Sequence, residues 1–111
     1  MSKIQHPVSP YASDAVVLLG QLIRKARIER KLKAVDVTDR VGISRGLLRR
    51  IETGDPGCTI GVVFEVAAIV GVRLFDTDQA ALSKAVETNR DLMALLPKSV
   101  RSSRIEVTDD F

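Results

Sequence analysis

The amino-acid sequence predicts an all-α fold with five helices, and three observations support this prediction. Apolar residues recur at three- and four-residue steps along most of the chain, which is the period of an amphipathic helix. Glycines stand where these periodic segments end. Hydrophobic residues make up 45% of the 111 residues and aromatic residues only 4%, so the core of this single domain is expected to be aliphatic.

The N-terminal segment and the single cysteine indicate the compartment. Residues 1–14 contain one lysine that no apolar run follows, so they do not have the pattern of a secretory signal. No apolar run reaches the roughly 18 residues of a membrane span. Cys58 alone cannot form an internal disulfide or a cysteine-based metal site. We therefore expect a cytoplasmic protein that has no membrane partner.

Residues 1–13 contain Pro7 and Pro10 and are predicted to form a flexible or loosely packed arm. A first helix is predicted to begin at Ser13 or Asp14 and to end near Lys31. Its inward positions recur at helical spacing: Val16, Leu19, Ile23 and Ala26. Its outward face is basic and carries Arg24, Lys25, Arg30 and Lys31.

Residues 34–53 have the pattern of two short helices joined by a tight turn. The apolar positions that would face the core are Val37, Val41, Ile43, Leu48 and Ile51. Gly42 is expected to supply the positive φ that ends the first of these helices. Ser44 is expected to cap the second by accepting a first-turn N–H. Thr38 is small enough for the second helix to cross close by.

The outward face of the second motif helix carries Arg45, Gly46, Arg49 and Arg50, and no acidic residue. A helix-turn-helix with such a face suits DNA. Residues 24–50 contain ten Lys or Arg and three Asp or Glu, a local net charge of +7, whereas the rest of the chain has a net charge of −4. This asymmetry favours a surface that binds a polyanion, and the alternative is a set of ordinary solvated helix faces.

A fourth helix is predicted between Thr59 and Gly71, after Gly54 has ended the preceding one. Its core positions are Val62, Val63, Val66, Ala67 and Val70. Because this helix is apolar on most sides, we expect it to be largely buried.

A fifth helix is predicted from near Asp78 to before Pro97, so residues 77–97 follow a DNA-binding domain of residues 14–76. Its apolar positions are Leu82, Val86, Met93 and Leu96. The stripe lies outside the four helices that close the core, and a symmetric partner is the simplest cover for it. Packing within the chain is the alternative.

Residues 98–111 have too little apolar content to fold alone. The first part is basic, and the last part is acidic and ends in Phe111. Ile105 and Val107 alternate with polar residues, which suits a short strand. The segment is either a disordered tail or a peptide that docks on a partner with Phe111 as its anchor.

From Leu19 to Leu74 the sequence resembles the Xre family of helix-turn-helix regulators, of the Cro and lambda-repressor type. The matching segments are the pattern LGxxIRxxR that starts at Leu19, residues 34–53, IETG at 51–54 and AAIVGVRL at 67–74. The resemblance implies a five-helix, all-α domain whose third helix enters the major groove. It also implies that Arg27 and Glu52 form an ion pair that fixes the fold and do not contact DNA.

Three residues depart from the family pattern. Ala34 stands where the family often has a glutamine that touches DNA, and Gly46 and Leu47 stand where Ser or Thr is usual. Gly46 lowers helix stability by roughly 1 kcal/mol relative to alanine and permits a close approach of DNA. Leu47 either contacts a thymine methyl group or packs on its neighbours.

The region after the motif resembles a narrower group, the HipB-like antitoxins, which are DNA-binding partners of HipA-type kinase toxins. The resemblance rests on the total length, the short C-terminal extension and the basic-then-acidic tail that ends in TDDF. It implies a homodimer that represses its own operon and binds a HipA-like kinase toxin. It gives Phe111 a role in toxin binding, and Ile105 and Val107 a role in the dimer.

These expectations assign DNA contacts to individual residues. The base-contacting residues are predicted to be Arg45, Gly46, Leu47 and Arg50, since arginine can bind O6 and N7 of guanine. The phosphate contacts are predicted to be Lys33, Ser44, Arg49 and Thr53. A solvated or salt-bridged side chain is the alternative for Arg49 or Arg50. The dimer is expected to bind an inverted-repeat operator in double-stranded DNA, with half-sites ~34–36 Å apart.

Enzyme chemistry has little support in the sequence. No carboxylate pair, metal cluster or glycine-rich phosphate loop stands at a meaningful spacing, so neither a cofactor nor a metal is expected. The predicted function is that of a DNA-binding repressor, as a HipB-like antitoxin. The alternatives are a stand-alone or phage-type repressor without a toxin, and a protein–protein adaptor on the same fold. The local charge of +7 argues against the adaptor.

Overall fold

The computed structural model describes residues 8–100, and this range contains five α-helices and one turn of 3-10 helix. The helices are α1 (Pro10–Glu29), α2 (Ala34–Val41), α3 (Arg45–Glu52), α4 (Ile60–Val70) and α5 (Gln79–Ala94), with the 3-10 turn at Leu74–Asp76. The all-α, lambda-repressor-like fold expected from the sequence is confirmed. The chain divides into two compact units, of which the first ends at Thr77 and the second, which contains α5, begins at Asp78. Within residues 8–100, no helix has the length and hydropathy needed to cross a membrane.

Helix α1 begins earlier than the sequence predicts. The Ser9 hydroxyl accepts a hydrogen bond from the N–H of Ala12 at 3.2 Å, and Pro10 is the first helical residue. A proline suits this position because its fixed φ is helical and a first-turn N–H has no partner inside the helix. The predicted start at Ser13 or Asp14 is therefore wrong, and residues 10–13 belong to α1 instead of an arm. Residues 1–7 lie outside the described range.

The turn between α2 and α3 forms as the sequence predicts. Gly42 ends α2 with φ of +80°, a conformation that disfavours a side chain. Ser44 caps α3, since its hydroxyl accepts a hydrogen bond from the N–H of Leu47 at 3.0 Å. Thr38 is buried, and its hydroxyl donates to the carbonyl of Val35. These local interactions determine where α2 ends and where α3 begins.

The core of the first unit is aliphatic, as expected. Its fully buried apolar residues come from the first four helices: Ile23, Val37, Leu48, Ile51, Val66, Ala67 and Val70. Helix α4 is buried over much of its surface, since seven of its eleven residues are buried or half-buried. The expectation that this helix is largely buried therefore holds in part, because Ile60 is 68% exposed and Glu65 also faces solvent. It ends at Gly71, as predicted.

Two glycines allow α1 to lie directly against the end of α3. A Cβ atom at Gly20 would stand 2.5 Å from the carbonyl oxygen of Ile51, so only glycine permits this approach. Gly54 follows α3 with φ of +83°, and a Cβ there would stand 2.7 Å from the Cα of Val17. The close crossing brings the C-terminal half of α1, which includes Arg24 and Arg27, to the side of α3.

Helix α5 carries its apolar residues at its surface. It begins after Asp78, whose carboxylate accepts a hydrogen bond from the N–H of Ala81 at 2.8 Å. Three of the predicted dimerisation residues lie on it: Leu82 is half-buried, and Val86 and Met93 are exposed. A fourth, Leu96, follows the helix and is also exposed. Ile105, Val107 and Phe111, which the sequence assigns to the dimer or to the toxin, lie outside the described residues.

Candidate nucleic-acid interface

The exposed face of α3 is defined by helical spacing. Leu48 and Ile51 point into the core and are 2% and 3% exposed. Gly46, Arg49 and Thr53 recur at three- and four-residue steps on the opposite side and are all exposed. The helix therefore presents to solvent a surface that has a glycine at its N-terminal end and an arginine at its centre.

This surface forms one wall of a groove of about 660 Å³, which we call the arginine groove. The groove is lined by residues of α1 and α3 and by Ala34, which is the first residue of α2. Its lining residues are Arg24, Arg27, Ala34, Arg45, Gly46, Leu48, Arg49, Glu52 and Thr53. Four arginines and one glutamate give the lining a net charge of +3, so the groove attracts anions.

The ion pair that the family resemblance implies is present beneath the groove. The Arg27 Nε and Nη2 atoms donate to the two carboxylate oxygens of Glu52 at 2.6 and 3.0 Å. Arg27 Nη1 donates to the carbonyl of Leu32 at 3.1 Å. The hydrogen bond to Glu52 raises the pKa of Arg27, against the opposing effect of burial. Glu52 thus holds α1 and α3 together through a bidentate charged pair.

Arg50 is held by the turn that follows α3 and does not line the arginine groove. Its Nε donates to Asp55 Oδ2 at 2.7 Å, while Asp55 Oδ1 accepts the N–H of Gly57 at 2.7 Å. The bond from Arg50, and to a smaller extent the bond from Gly57, lower the pKa of Asp55. The Arg50–Asp55 ion pair therefore persists at neutral and mildly acidic pH. In the structure Arg50 is therefore salt-bridged, as in the alternative given for this residue, and its contact with a base stays a prediction.

The other predicted contact residues lie near the same surface. Ser44 and Thr53 occupy the two ends of α3, where Ser44 caps the helix and the Thr53 hydroxyl donates to the carbonyls of Arg49 and Arg50. Lys33 is exposed just before α2, and its N–H donates to the Asp36 carboxylate. Thr53 lines the arginine groove, and Ser44 and Lys33 each precede a groove residue in the chain, Arg45 and Ala34 respectively.

Of the two unusual residues in α3, only Gly46 faces the groove. Leu47 is half-buried and packs against the core, which supports the packing alternative. A Cβ atom at Gly46 would find no atom nearer than the Ser44 hydroxyl at 3.9 Å, so the fold itself has room for a side chain there. Glycine at this position is therefore not explained by packing.

Replacing Gly46 with alanine is expected to raise the free energy of unfolding by about 0.5–1 kcal/mol, because alanine favours a helix. If DNA approaches this position closely, the same change weakens DNA binding by about tenfold, the loss of roughly one base contact. Urea unfolding and fluorescence anisotropy with a labelled duplex measure the two effects.

Gly61 is a matched control for this substitution. It is also the second residue of its helix, and a Cβ there would meet no atom within 4 Å. Gly61→Ala should stabilise the fold similarly and leave DNA binding unchanged. Unaltered DNA binding by Gly46→Ala would show that DNA does not use the open space at Gly46.

Arg50→Ala and Asp55→Ala are expected to have equal effects if Arg50 acts by holding the turn. Each should then lower the ratio of specific to non-specific DNA affinity by less than about fivefold, as for an exposed ion pair. The ratio is used because the two substitutions change the net charge in opposite directions. A tenfold loss for Arg50→Ala beside no loss for Asp55→Ala would place Arg50 against a base edge.

Arg24 is the groove residue to which the sequence analysis assigns no individual contact. The sequence places it on a basic face that favours a polyanion, and the structure shows that it lines the groove beside residues of α3. Its spacing of three residues from Arg27 was the available indication, because residues three apart share a helix face.

Cys58 lies outside the arginine groove. Cys58 is half-buried near the start of α4, and burial raises the pKa of its thiol. Among residues 8–100, no three His, Cys, Asp or Glu side chains are grouped so that they could hold a metal ion.

Comparison with known families identifies the motif that contains this surface. The family model described as a helix-turn-helix domain matches residues 18–96, which include α2 and α3 and all the residues of the arginine groove. No curated protein matches the chain, and no solved structure does.

Proposed function

The chain belongs to the helix-turn-helix domain family, and on that premise we propose that it is a sequence-specific, DNA-binding transcriptional repressor. Helix α3 would enter the major groove, with Arg45 and Arg49 beside base edges and backbone phosphates. Ser44, Thr53 and Lys33 would contact phosphates on either side.

The observation that carries this proposal is the arginine groove. Arg45 and Arg49 extend from the exposed face of α3, and neither has a described salt-bridge partner within residues 8–100. Arginine is suited both to guanine edges and to phosphates, because its guanidinium donates two parallel hydrogen bonds. The positive charge of the groove favours a polyanion such as DNA over an uncharged protein surface.

Selection from a pool of random DNA duplexes tests the proposal. We expect enrichment of one sequence, called the selected duplex below, that binds at least about 10³-fold more tightly than a scrambled duplex at physiological salt. A pool that yields no common sequence, with equal affinity for all duplexes, would contradict sequence-specific binding.

We propose further that the protein binds DNA as a homodimer through α5. The support is the exposed apolar surface of this helix and of the residues that follow it, where Leu92, Met93 and Leu96 are each more than half exposed. A symmetric partner would cover this surface. The selected duplex should then contain an inverted repeat with half-sites ~34–36 Å apart. Footprints on a single asymmetric half-site would contradict the dimer.

The finer proposal, taken from the sequence resemblance, is that the protein is a HipB-like antitoxin of a HipA-type kinase toxin. It would repress its own operon and bind the toxin through the segment that contains Phe111. A neighbouring gene for a large HipA-like kinase would favour this over a stand-alone repressor. Capture of that kinase by the full chain should be lost when residues 98–111 are deleted, and capture that persists would remove the tail from the interface.

A further inference from the structure

We propose that Arg24 of α1, outside the helix-turn-helix motif, binds a phosphate group that enters the arginine groove, and that Glu52 is its positioning residue. This inference rests on the proposed DNA-binding function, since the phosphate is taken to be a phosphodiester of the DNA backbone. It adds a third structural element, α1, to a surface otherwise formed by α2 and α3.

The Glu52 carboxylate is hydrogen-bonded to Arg27 of α1 but not to Arg24 of the same helix. Arg27 is committed to protein groups, because its Nε, Nη1 and Nη2 atoms all donate to Glu52 or to the Leu32 carbonyl. The Arg24 Nε lies 3.9 Å from Glu52 Oε1, which is near enough for attraction but beyond a hydrogen bond. Glu52 therefore draws Arg24 to the groove without occupying its donors.

The exposure of the two side chains supports the same assignment. The Arg24 side chain is 62% exposed, whereas that of Arg27 is 15% exposed and that of Glu52 is 7% exposed. A buried carboxylate attracts a neighbouring guanidinium more strongly than an exposed one does, since it is less screened by water. The Arg24 head group thus lies beside this carboxylate, with its Nε 3.9 Å from Glu52 Oε1, and remains accessible to a ligand.

Phosphate is the ligand chemistry that fits this arrangement. Arg24 approaches the groove from α1, and Arg45 and Arg49 approach it from α3. A phosphodiester seated between the two helices would accept hydrogen bonds from both, and arginine is the residue best suited to bidentate binding of phosphate. The contact would fix the angle at which α3 lies in the major groove without selecting any base.

Arg24→Gln compared with Lys25→Gln tests the proposal. Both residues are exposed neighbours on α1 and both substitutions remove one positive charge, but only Arg24 lines the arginine groove. We expect Arg24→Gln to weaken binding to the selected duplex by about tenfold and to lower the salt-dependence slope by about 0.9, the value for one phosphate contact. Lys25→Gln should change the slope by less than half as much. Equal changes in affinity and in slope for the two variants would show that Arg24 contributes only general positive charge, and would overturn the proposal.

A neutral methylphosphonate placed singly along the selected duplex locates the phosphate. At one position the replacement should weaken wild-type binding about tenfold and leave the binding of Arg24→Gln unchanged, because both changes remove the same contact. Additive losses at every position would contradict the contact. Thermal unfolding shows whether the variant remains folded, as expected for an exposed residue.

Inorganic phosphate alone distinguishes a DNA phosphate from a free anion. In an NMR titration of the DNA-free chain with inorganic phosphate, the Arg24 side-chain signals should show no saturable shift below about 10 mM phosphate. A dissociation constant above this concentration is far weaker than that of a typical specific site. Saturable binding at micromolar phosphate, with DNA affinity unaffected by Arg24→Gln, would assign the groove to a free anion and overturn the inference. If the wild-type chain binds no duplex, DNA binding itself is refuted. If the wild-type chain binds the selected duplex and Arg24→Gln binds it equally well, the proposed function stands and the contact of Arg24 with phosphate is refuted.

Discussion

Replacing Arg27 with methionine is expected to lower the free energy of unfolding by about 3–5 kcal/mol. The substitution leaves the Glu52 side chain, which is 7% exposed, without the two hydrogen bonds that Arg27 donates to its carboxylate. It also removes the donor to the Leu32 carbonyl, which ties the end of α1 to the start of α2. Urea unfolding followed by circular dichroism measures the loss.

Arg24→Met is the matched control for Arg27→Met. It removes an arginine on the same helix face whose Nε is 3.9 Å from Glu52, and an exposed pair of this kind contributes less than about 1 kcal/mol. The double variant Arg27→Met with Glu52→Met should recover much of the loss, because no unpaired charge is then buried. A loss below about 1 kcal/mol for Arg27→Met would show that the pair does not hold α1 against α3.

Arg45→Ala is expected to weaken binding to the selected duplex by roughly 10- to 100-fold. This is the discrimination of about 1–3 kcal/mol that one bidentate arginine contact to guanine contributes. Binding to the scrambled duplex should fall much less, because only a charge is lost there. Fluorescence anisotropy with both duplexes, at one fixed salt concentration, separates the two effects.

Arg73→Ala serves as the control for charge. Arg73 is an exposed arginine that precedes the 3-10 turn and does not line the arginine groove. Its removal should change the affinity for the two duplexes by the same small factor. If Arg45→Ala also lowers both affinities equally, Arg45 is a phosphate contact and base discrimination comes from elsewhere on α3.

The local features of the motif could be predicted from the sequence because they depend on neighbouring residues alone. Gly42 ends α2, Ser44 caps α3 and Gly54 follows it with a positive φ, and each obeys a rule about one turn of chain. The Arg27–Glu52 pair joins residues 25 positions apart. Only the family resemblance, and not spacing, indicated it.

Two side-chain positions in the structure go beyond what the sequence pattern indicates. The sequence predicts Arg50 as a base contact or a salt-bridged side chain, and the turn after α3 supplies the ion-pair partner, since Asp55 Oδ2 lies 2.7 Å from the Arg50 Nε. The sequence places Arg24 on a basic face that favours a polyanion, without giving this residue a contact of its own. Arg24 reaches the groove because Gly20 lets α1 lie against the carbonyls at the end of α3. A one-dimensional pattern contains neither of these approaches.

The start of α1 shows a different reason for a wrong prediction. The sequence predicts that Pro10 belongs to a flexible or loosely packed arm, since proline usually interrupts a helix. The structure places it at the first helical position, where the preceding Ser9 supplies the cap. The Ser9–Pro10 dipeptide therefore marks the beginning of the helix and not part of an arm.

The exposed face of α3 as the DNA-binding surface is most directly tested by a backbone amide NMR titration of the full chain with the selected duplex. We expect the largest shifts at residues 44–50, at Thr53 and at the groove residues Arg24 and Ala34. The amides of the exposed positions on α4, such as Glu65 and Ala68, should shift little. Large shifts confined to α4 or α5, with residues 44–53 unchanged, would contradict the account.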